Sequence, residues 1–180
     1  MDVRRVVTGH DPSGNAVVVS DETVEPITLA LVPGTEFHRL WGADETQTFP
    51  DDGSAPDAHR YFPPVDGFRF ALFTIPPDGG AGAPADLDFE AALAEFEVKL
   101  PGMAEHLEPD APGMHTTATV DCGVVLSGQV VLELDNGAKV TLNPGDTYVQ
   151  NGTRHRWSNR GTVPAVLAVA LVGAVNAKCE

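Results

Sequence analysis

Four side chains in this 180-residue sequence have the types and spacing to do chemistry together. His115, Thr117 and Asp121 stand at i, i+2 and i+6, and His155 follows 40 residues after His115. On one continuous strand the first three point to the same face, because strand side chains alternate with period two. Two imidazoles and a carboxylate suit a first-row transition ion and leave coordination positions open for a substrate or oxygen. The same groups suit proton transfer without a metal. Thr117 adds a hydroxyl, a poor ligand that can hold a water. Asp121 reads either as a ligand or as the carboxylate that orients a histidine. His115 and His155 read either as ligands or as a hydrogen-bonded pair inside a core.

Holding these groups in place takes a row of short strands, and residues 113–159 read as one. Leu126-Ser127-Gly128-Gln129 and Asp135-Asn136-Gly137 are hairpin signals, since Gly and Asn accept the positive φ of tight turns. Asn143-Pro144-Gly145-Asp146 and Asn151-Gly152-Thr153 are further turns. Val130, Leu132 and Leu134 alternate with Gln129, Val131 and Glu133, the pattern of a half-buried strand. Short strands at such even spacing predict a sandwich or a small barrel.

On these residues the chain resembles the cupin family. The first cupin motif runs His-x-His to a Glu and then a Gly; here it reads His115-Thr116-Thr117, Asp121 and Gly128. The second runs from a Gly through Pro-x-Gly-x-x-His to an Asn; here it reads Gly145, then Gln150 to His155, and Asn159. Thr117 stands in place of the second His, Asp121 in place of the Glu and Gln150 in place of the Pro. The resemblance implies an all-β cupin barrel (double-stranded β-helix, or jelly roll) over 101–180. Residues 1–100 are then an N-terminal β-rich extension packed on it, with one helix near 88–98, the whole making one structural domain. It also implies a metal-dependent enzyme acting on a small organic molecule, by oxygen-dependent cleavage or by elimination or isomerisation. His115, Asp121 and His155 would be its metal ligands and catalytic residues, around a divalent ion, iron(II) or zinc. Thr117, Thr119, Tyr148, Gln150 and Trp157 are expected to line the pocket. The alternative is a non-catalytic, small-ligand-binding cupin with a degenerate metal site. A storage role fits less well, because storage cupins resemble a pair of domains. Family habit and the β-rich N-terminal arm lead us to expect a homodimer.

The rest of the chain agrees with a single globular unit, long enough for a proper core. Its formal charge of −15 repels phosphate backbones and disfavours nucleic acid as a partner. Cys122 and Cys179 make no disulfide framework. No apolar run reads as a signal peptide or a membrane span, so a cytoplasmic location is expected. Val3, Val6 and Val7, a turn at 10–15 and Ala16–Val19 read as a hairpin. Residues 27–42 read as strand around Pro33-Gly34, 43–58 as an acidic loop, and 68–75 as a strand buried on both faces. Asp86 or Asp88 caps a helix whose Phe89, Leu93 and Phe96 form an apolar stripe, and Pro101 ends it. Residues 163–172 read as the closing strand. His10 and His106 read as surface histidines.

Overall fold

The computed structural model describes residues 1–80 and 82–177, and Cys179 falls outside them. A hairpin opens the chain, β1 (Val3–His10) and β2 (Ala16–Val24). The Asp11 carboxylate accepts from the amides of Ser13 and Asn15 at 2.8 and 2.9 Å and closes the turn expected there. Next come β3 (Ile27–Thr28), β4 (Glu36–Ala43), β5 (Phe68–Ile75) and the helix α1 (Phe89–Lys99). The motif region supplies β6 (Thr119–Ser127), β7 (Val130–Leu134), β8 (Lys139–Leu142), β9 (Thr147–Asn151), β10 (His155–Ser158) and β11 (Ala165–Gly173).

These strands build the expected all-β fold. One antiparallel sheet runs β3-β4-β5-β11-β6-β9 and a second runs β10-β7-β8. Their inner faces pack together: Val130 and Leu142 of the smaller sheet meet Val125, Ala165 and Leu167 of the larger. At the other end the core is Phe37, Tyr61, Ala71, Val169 and Leu171, closed by Phe96 and Leu100 of the helix region. Gly128 makes the β6–β7 turn at φ +71°, where a Cβ would lie 2.6 Å from the Ala165 Cα. Only glycine fits that corner.

Strands from before and after residue 100 share one sheet, because β4 and β5 lie in it with β6 and β11. Two expectations need correction. The helix is capped by Asp88, whose side chain accepts from Ala91 N, but it buries Ala92 and Phe96 while Phe89 and Leu93 stay exposed. The helix covers one end of the barrel, so it needs a narrower apolar contact than its sequence offers. Likewise β5 is not buried on both faces, since Phe70 points outward and is exposed. Among the described residues no helix is long and apolar enough to cross a membrane.

The segment between β4 and β5 returns to the barrel through two arginines. Arg39 donates to the carbonyls of Ala58, His59 and Arg60. Arg69, almost fully buried, donates to the carbonyls of Arg60, Ala43 and Phe68 and pairs with Asp44. These bonds satisfy a buried guanidinium that would otherwise be very costly, and they carry Tyr61 into the core.

Candidate functional site

Between His115 and Thr119 the chain leaves the smaller sheet and enters the larger one, and that corner decides the site. His115 and His155 exchange backbone hydrogen bonds, N to O, at 2.9 and 3.0 Å. Residues paired in this way put their side chains on one face. The two rings therefore meet, with centroids 4.2 Å apart and planes tilted by 50°. His115 Nδ1 bonds the Gly113 carbonyl at 3.0 Å and His155 Nδ1 bonds the Thr153 carbonyl at 2.8 Å. A carbonyl only accepts, so in both rings Nδ1 carries the proton and Nε2 presents a lone pair. Burial, with His115 alongside, pushes His155 down to about 4. Burial also lowers His115, partly offset by its bond to Gly113. Both imidazoles are neutral at neutral pH.

Two further groups hold this pair. Arg154 donates to both oxygens of Glu108, at 2.7 and 2.6 Å, and to Asp135 at 2.9 Å. Glu108 precedes His115 and Asp135 follows β7 directly, so one guanidinium ties the His115 segment to its neighbours. On an exposed surface this adds little stability, but the fork fixes orientation. Gln150, buried on β9, donates its amide to the carbonyl and hydroxyl of Thr153. The same carbonyl accepts from His155, so Gln150 positions the ring indirectly.

Asp121 is not gathered with the two histidines in this structure. Among the described residues no group of three His, Cys, Asp or Glu side chains is gathered to hold one ion. The parity argument assumed a continuous strand from 115 to 121, whereas β6 begins at Thr119 and His115 pairs with the other sheet. Thr117 and Thr119 fill the corner instead, buried and joined hydroxyl to hydroxyl at 2.8 Å. Asp121 faces the interior opposite Gln150, with its Oδ1 buried and without a hydrogen-bond partner. Burial pushes its carboxyl up to about 6, against a smaller lowering by the Thr119 hydroxyl. Two phenols share this interior. Burial raises Tyr61 and Tyr148 far above the usual range, and the Asp121 charge adds to it. Tyr148 lies against bare Gly123, where any Cβ would strike its ring, and meets Trp157 at 4.8 Å with the planes tilted by 58°, while Trp157 stands edge-on to His155 at 6.0 Å.

Thr117 thus fills a tight corner rather than an open ligand position. Histidine there adds a ring to a side chain that is only 2% exposed. We expect Thr117→His to destabilise the fold by about 1–3 kcal/mol, read as a lower midpoint in urea.

The cavities sit beside the pair rather than on it. A groove of about 300 Å³ reaches Thr119 and is walled by Asp44, Arg60, Phe62 and His106. His106 is not free on the surface: its Nδ1 bonds the Thr116 carbonyl at 2.9 Å and its ring stands edge-on to Phe62. His10 is likewise held, by the Asp51 carbonyl at 3.0 Å.

Comparison with known proteins agrees with this architecture. Residues 103–172 match the family model described as a cupin domain. The chain carries a cupin domain. Over 47 residues it is 51% identical to the phomopsin biosynthesis cluster protein C' of Diaporthe leptostromiformis, covering 26% of this chain and 25% of that protein. The chain thus spans about a quarter of the length of that relative. It is 27% identical over 163 residues to the cupin-domain-containing oxidoreductase srdB of Neurospora crassa, covering 88% of this chain and 66% of that protein. Among solved structures it is similar to a cupin 2 conserved barrel domain protein from Salinispora arenicola. That similarity has a TM-score of 0.40 and 14% identity over 84% of this chain and 88% of that one.

In this cupin the three departures from the motif each have a structural place. Thr117 packs the corner, Asp121 faces the two phenols, and Gln150 braces the His155 turn. The sequence reading missed the Arg154 clamp and the arginines that seat Tyr61. The spacing of Glu108, Asp135 and Arg154 carries no local period, so nothing in the sequence alone announces them.

Proposed function

We propose that this cupin is an enzyme that acts on a small organic molecule by proton transfer at the His115–His155 pair. The observation that supports it is the matched anchoring of the two rings. Each Nδ1–H is spent on a backbone carbonyl, so each Nε2 offers a lone pair, on a buried ring at His155 and a half-buried one at His115, the form a general base needs. Asp121 is the second titratable group, and its buried oxygen without a partner can accept from a donor that a bound molecule brings. Tyr148, Trp157 and Phe73 pack against one another beside the pair and back it with an apolar cluster.

A second reading keeps the divalent ion. His115 and His155 would hold it through Nε2, the donor type that iron(II) and zinc accept, and it would supply Lewis acidity or electron transfer. The name oxidoreductase on a relative favours it. The three-ligand set with Asp121 is not gathered among the described residues, so no step is drawn through an ion. The two readings separate in one experiment. Protein purified without chelators is analysed for metal and assayed against keto acids and phenols, with and without EDTA. Turnover that survives EDTA in metal-free protein supports proton transfer. Stoichiometric metal that disappears in both His115→Ala and His155→Ala, taking activity with it, replaces that reading with the second. Tight binding of a panel member without turnover overturns both in favour of a ligand carrier.

A further inference from the structure

The N-terminal hairpin is held at its two ends in different ways. Among the described residues β1 and β2 form a two-stranded sheet of their own, with no ladder to the larger sheet. A two-stranded hairpin is marginal by itself, so this one stays only where its lower face is held. At its tip the amide and Nδ1 of His10 both bond the Asp51 carbonyl, at 2.7 and 3.0 Å. Gly9 lies so close to Asp52 there that a Cβ would meet its backbone at 2.5 Å. At its base the paired Val3 and Val24 pack with Leu40, Leu72 and Ala168.

His38 lies under that base. Its register partner on β5 is Leu72, and Leu40 follows it on the same side of β4. On its other side the amino group of Met1 reaches Glu36 at 3.5 Å. The ring is 1% exposed, and neither nitrogen has a hydrogen-bond partner. Buried polar groups are bonded as a rule, so this exception needs a physical reason.

We propose that the hairpin is a strap released by protonation of His38: the charged ring lifts the base of β1–β2 from β4 and β5, while the tip stays bound to the loop at 51–53. A proton adds a charge and a second N–H to a ring that already bonds nothing, a cost that water or a carboxylate removes. The elements packed around the ring favour release over a new bond. From β5 and β11 it meets Leu72 and Ala168, which are apolar. From β1, Arg5 brings a second cation, which donates to the Leu40 carbonyl at 2.8 Å and pairs with Glu22 of β2. On β4, Glu36 is engaged by the terminal amine. Glu25, just past β2, is exposed, so it meets the ring's charge in water rather than under the hairpin. Burial accordingly lowers the proton affinity of His38, with Glu36 and Glu25 opposing and the amino terminus adding to the effect. Docking therefore has its full strength above the ordinary value of 6.5 and loses it as pH falls below. The tip does not share this dependence, because Nδ1–H of His10 donates to a carbonyl in either charge state. Lifting the base uncovers Leu40 and Leu72 and widens the groove of about 730 Å³ that β1 shares with Trp41, Phe68 and Phe70.

Amide hydrogen exchange of the full chain tests this, read by mass spectrometry from pH 7.5 to 5.0 and corrected for the intrinsic rate. Protection over residues 3–7 and 20–24 should fall by about tenfold or more, since one proton shifts release up to tenfold per unit of pH, while β6 and β11 keep theirs. In His38→Phe, whose ring cannot ionise, the same segments should stay protected throughout. The wild-type ring gives a reading that needs no variant: its Hε1 resonance should titrate with the midpoint of the hairpin's loss. Protection that stays flat in the wild type overturns the proposal. So does a loss that persists in His38→Phe, or one spread equally over β6 and β11.

Discussion

Alanine in place of His155 is expected to lower turnover by about 10²–10⁴-fold, the range for loss of a positioned acid or base. His115→Ala should fall in the same range. The two rings act as a unit 4.2 Å apart, so the double variant should lose little more than either single one. His106→Ala is the control. His106 ends a short helical turn just before Leu107, which bridges His115, and bonds Thr116, but its ring faces Phe62. It should keep turnover within a few-fold. Gln150→Ala tests positioning. It leaves both Nε2 atoms in place and frees the Thr153 carbonyl, so kcat should fall while KM moves little. Unchanged kcat/KM in both single alanine variants would remove the histidine pair from the reaction.

Much of the barrel was legible because its signals are local. The glycines at 128, 137, 145 and 152 all adopt positive φ, and turn chemistry places strand ends without reference to the rest of the fold. The Asp88 cap is equally local. What the sequence did not disclose is where the chain changes sheet. His115, Thr117 and Asp121 obey strand parity on paper, but parity holds only within an element. At 116–118 the backbone turns the corner, so His115 pairs with β10 and Asp121 with β9 and β11. The apolar stripe of the helix misled for a related reason. Phe89 and Leu93 have the right period, but only Ala92 and Phe96 of the helix are buried. The Arg39 and Arg69 bonds that seat Tyr61 join residues about 20 apart without periodicity, so only the folded chain shows them.

The same buried groups predict how stability follows pH. The His155 imidazole has an ordinary value near 6.5 and lies at about 4 in the fold. Between those values the unfolded chain binds the proton and the folded chain does not, so stability is lost as pH falls from 6.5 towards 4. A shift of this size is worth about 3 kcal/mol. His115 and His38 are lowered too, both chiefly by burial. For His38, which has neither ring nitrogen bonded, Glu36 and Glu25 oppose the lowering and the amino terminus adds to it. All three histidines act in one direction. Asp121 acts in the other. Its carboxyl is raised from 3.8 to about 6, so the fold favours the protonated form. That contribution is whole below 3.8 and lost as pH rises through 6. It is also worth about 3 kcal/mol and nearly cancels His155 over the same interval. The wild-type protein should therefore lose stability only moderately from pH 7 to pH 4, by the share of His38 and His115. Asp121→Asn removes the opposing contribution. It should be more stable than wild type by about 1–3 kcal/mol at pH 7.5, indistinguishable near pH 3.5, and steeper in between. Urea midpoints at half-unit steps of pH read this directly. Parallel curves for wild type and Asp121→Asn would show that the carboxyl is not held high by burial in the fold.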